Sequence, residues 1–215
     1  MPVDAPHRVD LPASPETLAG LRAGDEVRLF GPVYTARDAG HARLLEALAR
    51  DGKLPFELVG QTLFYAGPTP PAAGRPAGAI GPTTAKRMDA ATPALLRAGI
   101  VAAIGKGARS EETRRAFAET GGVYFAAVGG AAALLATHVV AAERVAWEDL
   151  GTEALVRLTL DDFPAFVAID AVGNDLYASA PAEWRRGRDA ARGAASDALG
   201  SADSGGSGDT FGGAR

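Results

Sequence analysis

Two short, almost uninterrupted apolar runs, Ile100–Ile104 and Val123–Val128, constrain this chain more than any other feature. Each has the length of a strand and no polar face, which requires burial on both sides. Each is also followed by a helix signal. Ser110 stands where an N-cap belongs, with Glu111 and Glu112 in the first turn and Gly121 as the stop. Gly129-Gly130 opens the small-residue stretch Ala131–His138, expected to be helical. Upstream, Ala79-Ile80 leads through Gly81-Pro82-Thr83-Thr84 into a helix whose second part starts at Thr92-Pro93 and stops at Gly99. Such strand–helix alternation predicts a parallel layer covered by helices.

The flanking segments add to this layer. Glu26–Phe30 alternates charged and apolar residues and reads as a strand entering a Gly31-Pro32 turn. Ala36–Arg50 has the spacing of a helix, and Gln61–Ala66 that of a buried strand. Gly67–Pro76 carries four prolines and is expected to be a loop. Ala154–Leu160 and Phe166–Asp170 read as two further strands before a Gly173-Asn174-Asp175 turn. The expected organisation is an N-terminal extension at 1–19, one α/β domain at 20–180 with antiparallel additions, and a disordered Ala/Gly/Ser/Asp tail at 190–215.

Composition narrows the chemistry. The net charge of −4 gives no broad basic face for nucleic acid. No run approaches the roughly 18–20 apolar residues of a membrane helix. Met1–Asp4 begins no charged-then-apolar leader, so a cytoplasmic protein is expected. There is no cysteine, so this chain cannot itself supply a thiolate nucleophile or ligate an iron–sulfur cluster. Lysine occurs only at 53, 86 and 106, against nineteen arginines. The three histidines, His7, His41 and His138, suggest structural positions or a frayed terminus rather than ligands.

Three segments could carry chemistry. In Gly31–His41, Arg37 falls in the first turn of the expected helix, either facing an anion or pairing with a surface Asp. In Gly81–Asp89, Thr83 and Thr84 stand at a helix start with Arg87 three and four residues on, a set suited to a carboxylate or phosphate; a simple Thr cap with a solvent-facing Arg is the alternative. In Ile104–Ser110, Lys106 lies between two glycines just past an apolar strand, the end of a parallel strand where ligands collect. If the three loops share one sheet edge, they build a small, strongly cationic pocket.

Taken in order, GPVYTARDAGH, FYAGPTPP, GPTTAKRMD, GKGARS, GGVYFAAVGGAAALLA and DDFPAFVAIDAVGNDLY resemble the C-terminal or β-subunit part of class I (iron–sulfur) fumarate hydratases. L(+)-tartrate dehydratase β subunits share this part. Asp89 in GPTTAKRMD and the DFPAF segment look more like the fumarases.

The resemblance implies a swivelling β/β/α domain that forms half of a composite active site. An α subunit would bring a [4Fe–4S] cluster on three cysteines, with one iron acting as a Lewis acid on the substrate, in a heterotetramer with two copies of each chain. The reaction implied is reversible hydration of fumarate to (S)-malate. By the same resemblance, Arg37, Arg87 and Lys106 would bind substrate carboxylates, Thr83 would be the base for the C3 proton, and Thr84 would assist it. The absent cysteines depart from single-chain members of the family but not from separate β subunits.

Overall fold

A computed structural model describes residues 5–182, 184–186 and 188. Its compact body is Met1–Tyr177, and Ala178–Arg215 forms a second unit, whose described residues are helical. The expected tail at 190–215 lies outside the described residues.

Seven strands make one mixed sheet: β1 (His7–Asp10), β2 (Glu26–Thr35), β3 (Thr62–Phe64), β4 (Ala102–Gly105), β5 (Val123–Ala126), β6 (Val139–Ala146) and β7 (Leu155–Ile169). The α-helices packed with the sheet include α1 (Pro15–Gly20), α2 (Asp38–Asp51), α3 (Thr92–Arg97), α4 (Glu111–Thr120) and α5 (Ala132–Leu135). The spatial order is β1-β2-β3-β4-β5-β7-β6, and β2 also pairs with β7. That extra pairing closes β2, β3, β4, β5 and β7 into a ring. Neighbours from β1 through β5 are parallel, and β7 runs antiparallel to β2, β5 and β6. This is the mixed α/β sheet flanked by helices that the sequence predicts.

Alternation along the short parallel strands builds two cores. Phe64, Ile104 and Phe125 join Leu29, Val33 and Phe163 in one cluster. Leu63, Ala103 and Tyr124 face the other way and pack with Leu44 of α2, Leu95 of α3 and Phe117 of α4. Double-sided burial is why these strands show no polar face.

The structure redraws several boundaries. Gly31-Pro32 is not a turn, because β2 runs through it with a register shift between Leu29 and Gly31. Gly31 takes φ +107°, and a Cβ there would lie 2.3 Å from the Leu11 carbonyl oxygen, so only glycine lets the two segments touch. His7 opens β1 rather than fraying, and residues 7–20 form β1 and α1, with Val9, Leu11 and Leu18 buried in the core. The two strands expected at 154–170 are one 15-residue strand, which passes Asp161-Asp162 by placing Asp162 at φ +54°. β6 was not legible from the sequence: its central residues are exposed, leaving no buried face to impose a period. Ala79-Ile80 forms no strand.

Candidate functional site

The loops after β2, β3, β4 and β5 all leave the same edge of the sheet, because these neighbouring strands are parallel. Arg37 follows β2. It is the N-cap residue of α2 and not part of its first turn, with extended backbone at φ −119° and ψ −159°. Its carbonyl accepts hydrogen bonds from His41 N–H (2.7 Å) and His41 Nδ1 (2.9 Å). Its side chain is mostly buried against the loop after β3. A Cβ added at Gly67 would lie 3.1 Å from Arg37 Cδ and 3.2 Å from Nη1. Arg37 Nη2 is 3.6 Å from Glu153, and Arg37 Nε is buried without a partner.

Thr83 and Lys106 meet through their backbones. Lys106 N–H donates to the Thr83 carbonyl (3.3 Å), Ala85 N–H donates to the Lys106 carbonyl (2.9 Å), and Thr84 and Lys106 form a parallel bridge. Thr83 N–H in turn donates to the Tyr65 carbonyl at the end of β3 (2.7 Å). Thr84 precedes the short 3-10 turn Ala85–Met88 and makes no side-chain cap. Arg87, on that turn, donates from Nη1 to Thr83 Oγ1 (3.3 Å) and from Nε to Asp38 of α2 (3.1 Å), with Nη2 also on Asp38. One arginine thus links Thr83 to the helix start that carries Arg37.

Lys106 is half-buried and has no ion pair among the described residues. A Cβ added at Gly129, in the loop after β5, would lie 3.1 Å from Lys106 Cδ and 3.4 Å from Nζ. Glycine there leaves room for the lysine stem. The expected pocket is less cationic in this chain than its residue types suggest. Glu153 lies beside Arg37 and Asp38 holds Arg87, whereas Lys106 has no acid within ion-pair distance among the described residues. The edge is also open. A cavity of about 420 Å3 lies between the proline-rich loop and β6, touching Thr69, Arg144 and Thr152, but none of Arg37, Thr83, Thr84, Arg87 and Lys106 lines it.

Sequence reasoning missed the groups beneath the site. Arg109 is fully buried, with Nε 2.6 Å from Asp89 Oδ1 and Nη2 2.8 Å from Thr92 Oγ1. Its guanidinium lies over the rings of Tyr65, Phe117 and Tyr124, at 5.2, 5.8 and 5.0 Å from their centroids. Asp89 and Arg109 both lie in the quoted motifs, yet nothing in their spacing shows that they pair. Burial keeps the Tyr124 phenol protonated by raising its pKa. His41 is buried edge-on against Tyr65, and its pKa falls to about 4, mainly from burial and further from the Arg109 charge, against the Arg37 carbonyl bond. A neutral ring that donates from Nδ1 leaves Nε2 bare and unpartnered. The chain has no cysteine, and no group of three metal-ligating side chains occurs among the described residues. Its residues therefore do not fit an iron–sulfur cluster as ligands.

Fold and site together define an α/β domain that brings two arginines, a lysine and two threonines to one open sheet edge. The chain belongs to the family described as Fumarase C-terminus, whose model matches residues 3–180. It is 38% identical over 151 residues to the anaerobic class I fumarate hydratase of Escherichia coli, covering 69% of this chain and 28% of that protein. It has the same identity and coverage with the mitochondrial fumarate hydratase 1 of Leishmania major. A Methanocaldococcus jannaschii protein with the provisional name L(+)-tartrate dehydratase subunit beta is 39% identical over 163 residues, covering 73% of this chain and 84% of that protein. The chain therefore spans under a third of the fumarate hydratases it matches, and most of the β-subunit-like relative.

Proposed function

We propose that this chain is the β subunit of a two-chain class I fumarase, acting in the cytoplasm on fumarate and (S)-malate. The juxtaposition of Thr83, Arg87 and Lys106 at the open edge carries the reading. Removing the C3 proton of malate places charge on the adjacent carboxylate, and fixed cations facing it stabilise that charge without reorganising. Lys106, without an ion pair among the described residues, is the carboxylate contact that needs no rearrangement. Arg87 and Arg37 exchange part of their bonding with Asp38 and Glu153 for substrate, and the orphaned Arg37 Nε gains a partner. Thr84 lines the same edge. Thr83 takes the C3 proton as base. A threonine hydroxyl is a very weak base, so its own proton must pass to a group of the partner; the hydrogen bond from Arg87 favours the resulting alkoxide. The cluster belongs to the partner, a cysteine-bearing α subunit in a tetramer with two copies of each chain. Support comes from the 84% coverage of a β-subunit-like relative against 28% of the single-chain enzymes.

The test is anaerobic co-assembly with an α chain, assayed with fumarate, malate and L-tartrate. The isolated chain should be inactive and the complex should interconvert fumarate and malate. Fumarase activity in the isolated chain would refute the proposal. Turnover of L-tartrate alone would favour the second reading, a tartrate dehydratase β subunit or a related 2-hydroxy-diacid hydro-lyase, which the Methanocaldococcus jannaschii relative supports. Binding of dicarboxylate without turnover in any assembly would leave an anion-binding module.

A further inference from the structure

We propose that the buried pair Asp89–Arg109 is a positioning device that sets where Lys106 stands relative to Thr83 and Arg87, an inference that rests on the reading above for its functional meaning. The two loops concerned touch at one end through the Thr83–Lys106 backbone contacts. At the other end the Asp89 carboxylate joins them directly. Its Oδ1 accepts from Arg109 Nε at 2.6 Å, and its Oδ2 accepts from Ser110 N–H at 2.8 Å. Asp89 closes the turn that carries Arg87, and Arg109-Ser110 closes the loop that carries Lys106 and starts α4. This carboxylate therefore closes a short circuit of backbone whose other closure is the Thr83–Lys106 contact.

Arg109 is held by more than Asp89. Thr92 Oγ1 accepts from its Nη2 and donates to the Met88 carbonyl at 2.8 Å, which ties the same turn a second time. The Tyr124 hydroxyl donates to the Gly107 carbonyl at 3.1 Å, one residue past Lys106. Tyr65, which lies under Arg109, also holds Thr83 through its carbonyl. A charge pair whose arginine is fully buried, with its aspartate 12% exposed, is a costly way to gain stability alone, since well-packed apolar residues of similar volume often do as well or better. What a charged, directional pair adds is a unique geometry, and here that geometry runs between the two groups that would meet one small substrate.

The presence of only three lysines makes the test direct. The full chain is reductively dimethylated with carbon-13, giving one lysine resonance each for Lys53, Lys86 and Lys106, with Lys106 assigned by its loss in Lys106→Arg. Without ligand, the Lys106 resonance should shift toward the free-lysine position in Arg109→Met and Asp89→Asn while Lys53 stays, and Arg109→Lys should restore part of the shift. On titration with malate, the midpoint at Lys106 should rise on the order of tenfold in the first two variants, as for a small misplacement of a binding group. A Lys106 resonance unchanged in both variants overturns the inference. If Arg109→Met does not fold, Asp89→Asn decides, since its carbonyl still accepts from Ser110. Failure of malate to move Lys106 in the unsubstituted chain would count against the functional reading instead, and leave the ligand-free comparison standing.

Discussion

Arg87→Ala separates a substrate contact from a surface ion pair. The Arg87 and Asp38 side chains are 48% and 41% exposed, so their pairing contributes about 0–1 kcal/mol to folding. The 3.3 Å bond to Thr83 Oγ1 is long and adds little. Thermal stability should therefore drop only slightly. Loss of a forked guanidinium contact to a developing carboxylate charge costs on the order of 2–4 kcal/mol. That corresponds to about 30-fold to about 900-fold in kcat/KM. If Thr83 acts as the proposed base, part of the loss should appear in kcat, because Arg87 donates to its hydroxyl oxygen. The assay is steady-state fumarate hydration and malate dehydration by the assembled complex, with a thermal melt of each variant. A kcat/KM within threefold of the unsubstituted complex would show that Arg87 is only the partner of Asp38. A large fall in melting temperature would refute the stability part of the argument.

Three other perturbations test the site and its scaffold. Lys106→Met removes a cation with no ion pair among the described residues, so urea unfolding should be little changed while dicarboxylate binding to the full chain, measured by calorimetry, weakens at least tenfold. Gly31→Ala puts a Cβ 2.3 Å from the Leu11 carbonyl at φ +107° and should cost about 2–4 kcal/mol in urea denaturation; a cost under about 0.5 kcal/mol would contradict the close approach of β2 to Leu11. The His41 pKa is lowered in the fold from 6.5 to about 4, so the unfolded chain binds the proton first and stability falls as pH drops through that window. At about 1.4 kcal/mol per pH unit this amounts to about 3 kcal/mol, present above about pH 6.5 and lost by about pH 4. His41→Asn should flatten that part of the urea-midpoint profile, and an unchanged slope would show that other groups cause it.

The legible parts of the fold share one physical property. Val123–Ala126 and Ala102–Gly105 are buried on both faces, and α4 carries its own start and stop in Ser110 and Gly121. Local chemistry settles such elements. β6 was invisible because its central residues are exposed and no burial pattern marks it. Gly31-Pro32 looked like a turn because glycine and proline usually make one. Here the glycine admits a neighbouring backbone, and β2 continues. Thr83, Thr84, Arg87, Lys106 and Arg37 were all named from the chain, yet their grouping depends on strand order, which depends on pairing between residues far apart in sequence.

The parallel layer, the family and the residue types offered to an anion follow from the residues alone, because apolar periodicity, caps and motif order are local properties. So does the fact that no cysteine of this chain can hold a cluster. Strand pairing across the sheet is what brings the three loops to one edge, sets Asp38 and Glu153 against two of the cations, and leaves Lys106 without an ion pair among the described residues. It also places Arg109 and Asp89 beneath the site. Charge pairing and burial act through space, and residues such as Arg37 and Glu153 become neighbours only when the sheet closes.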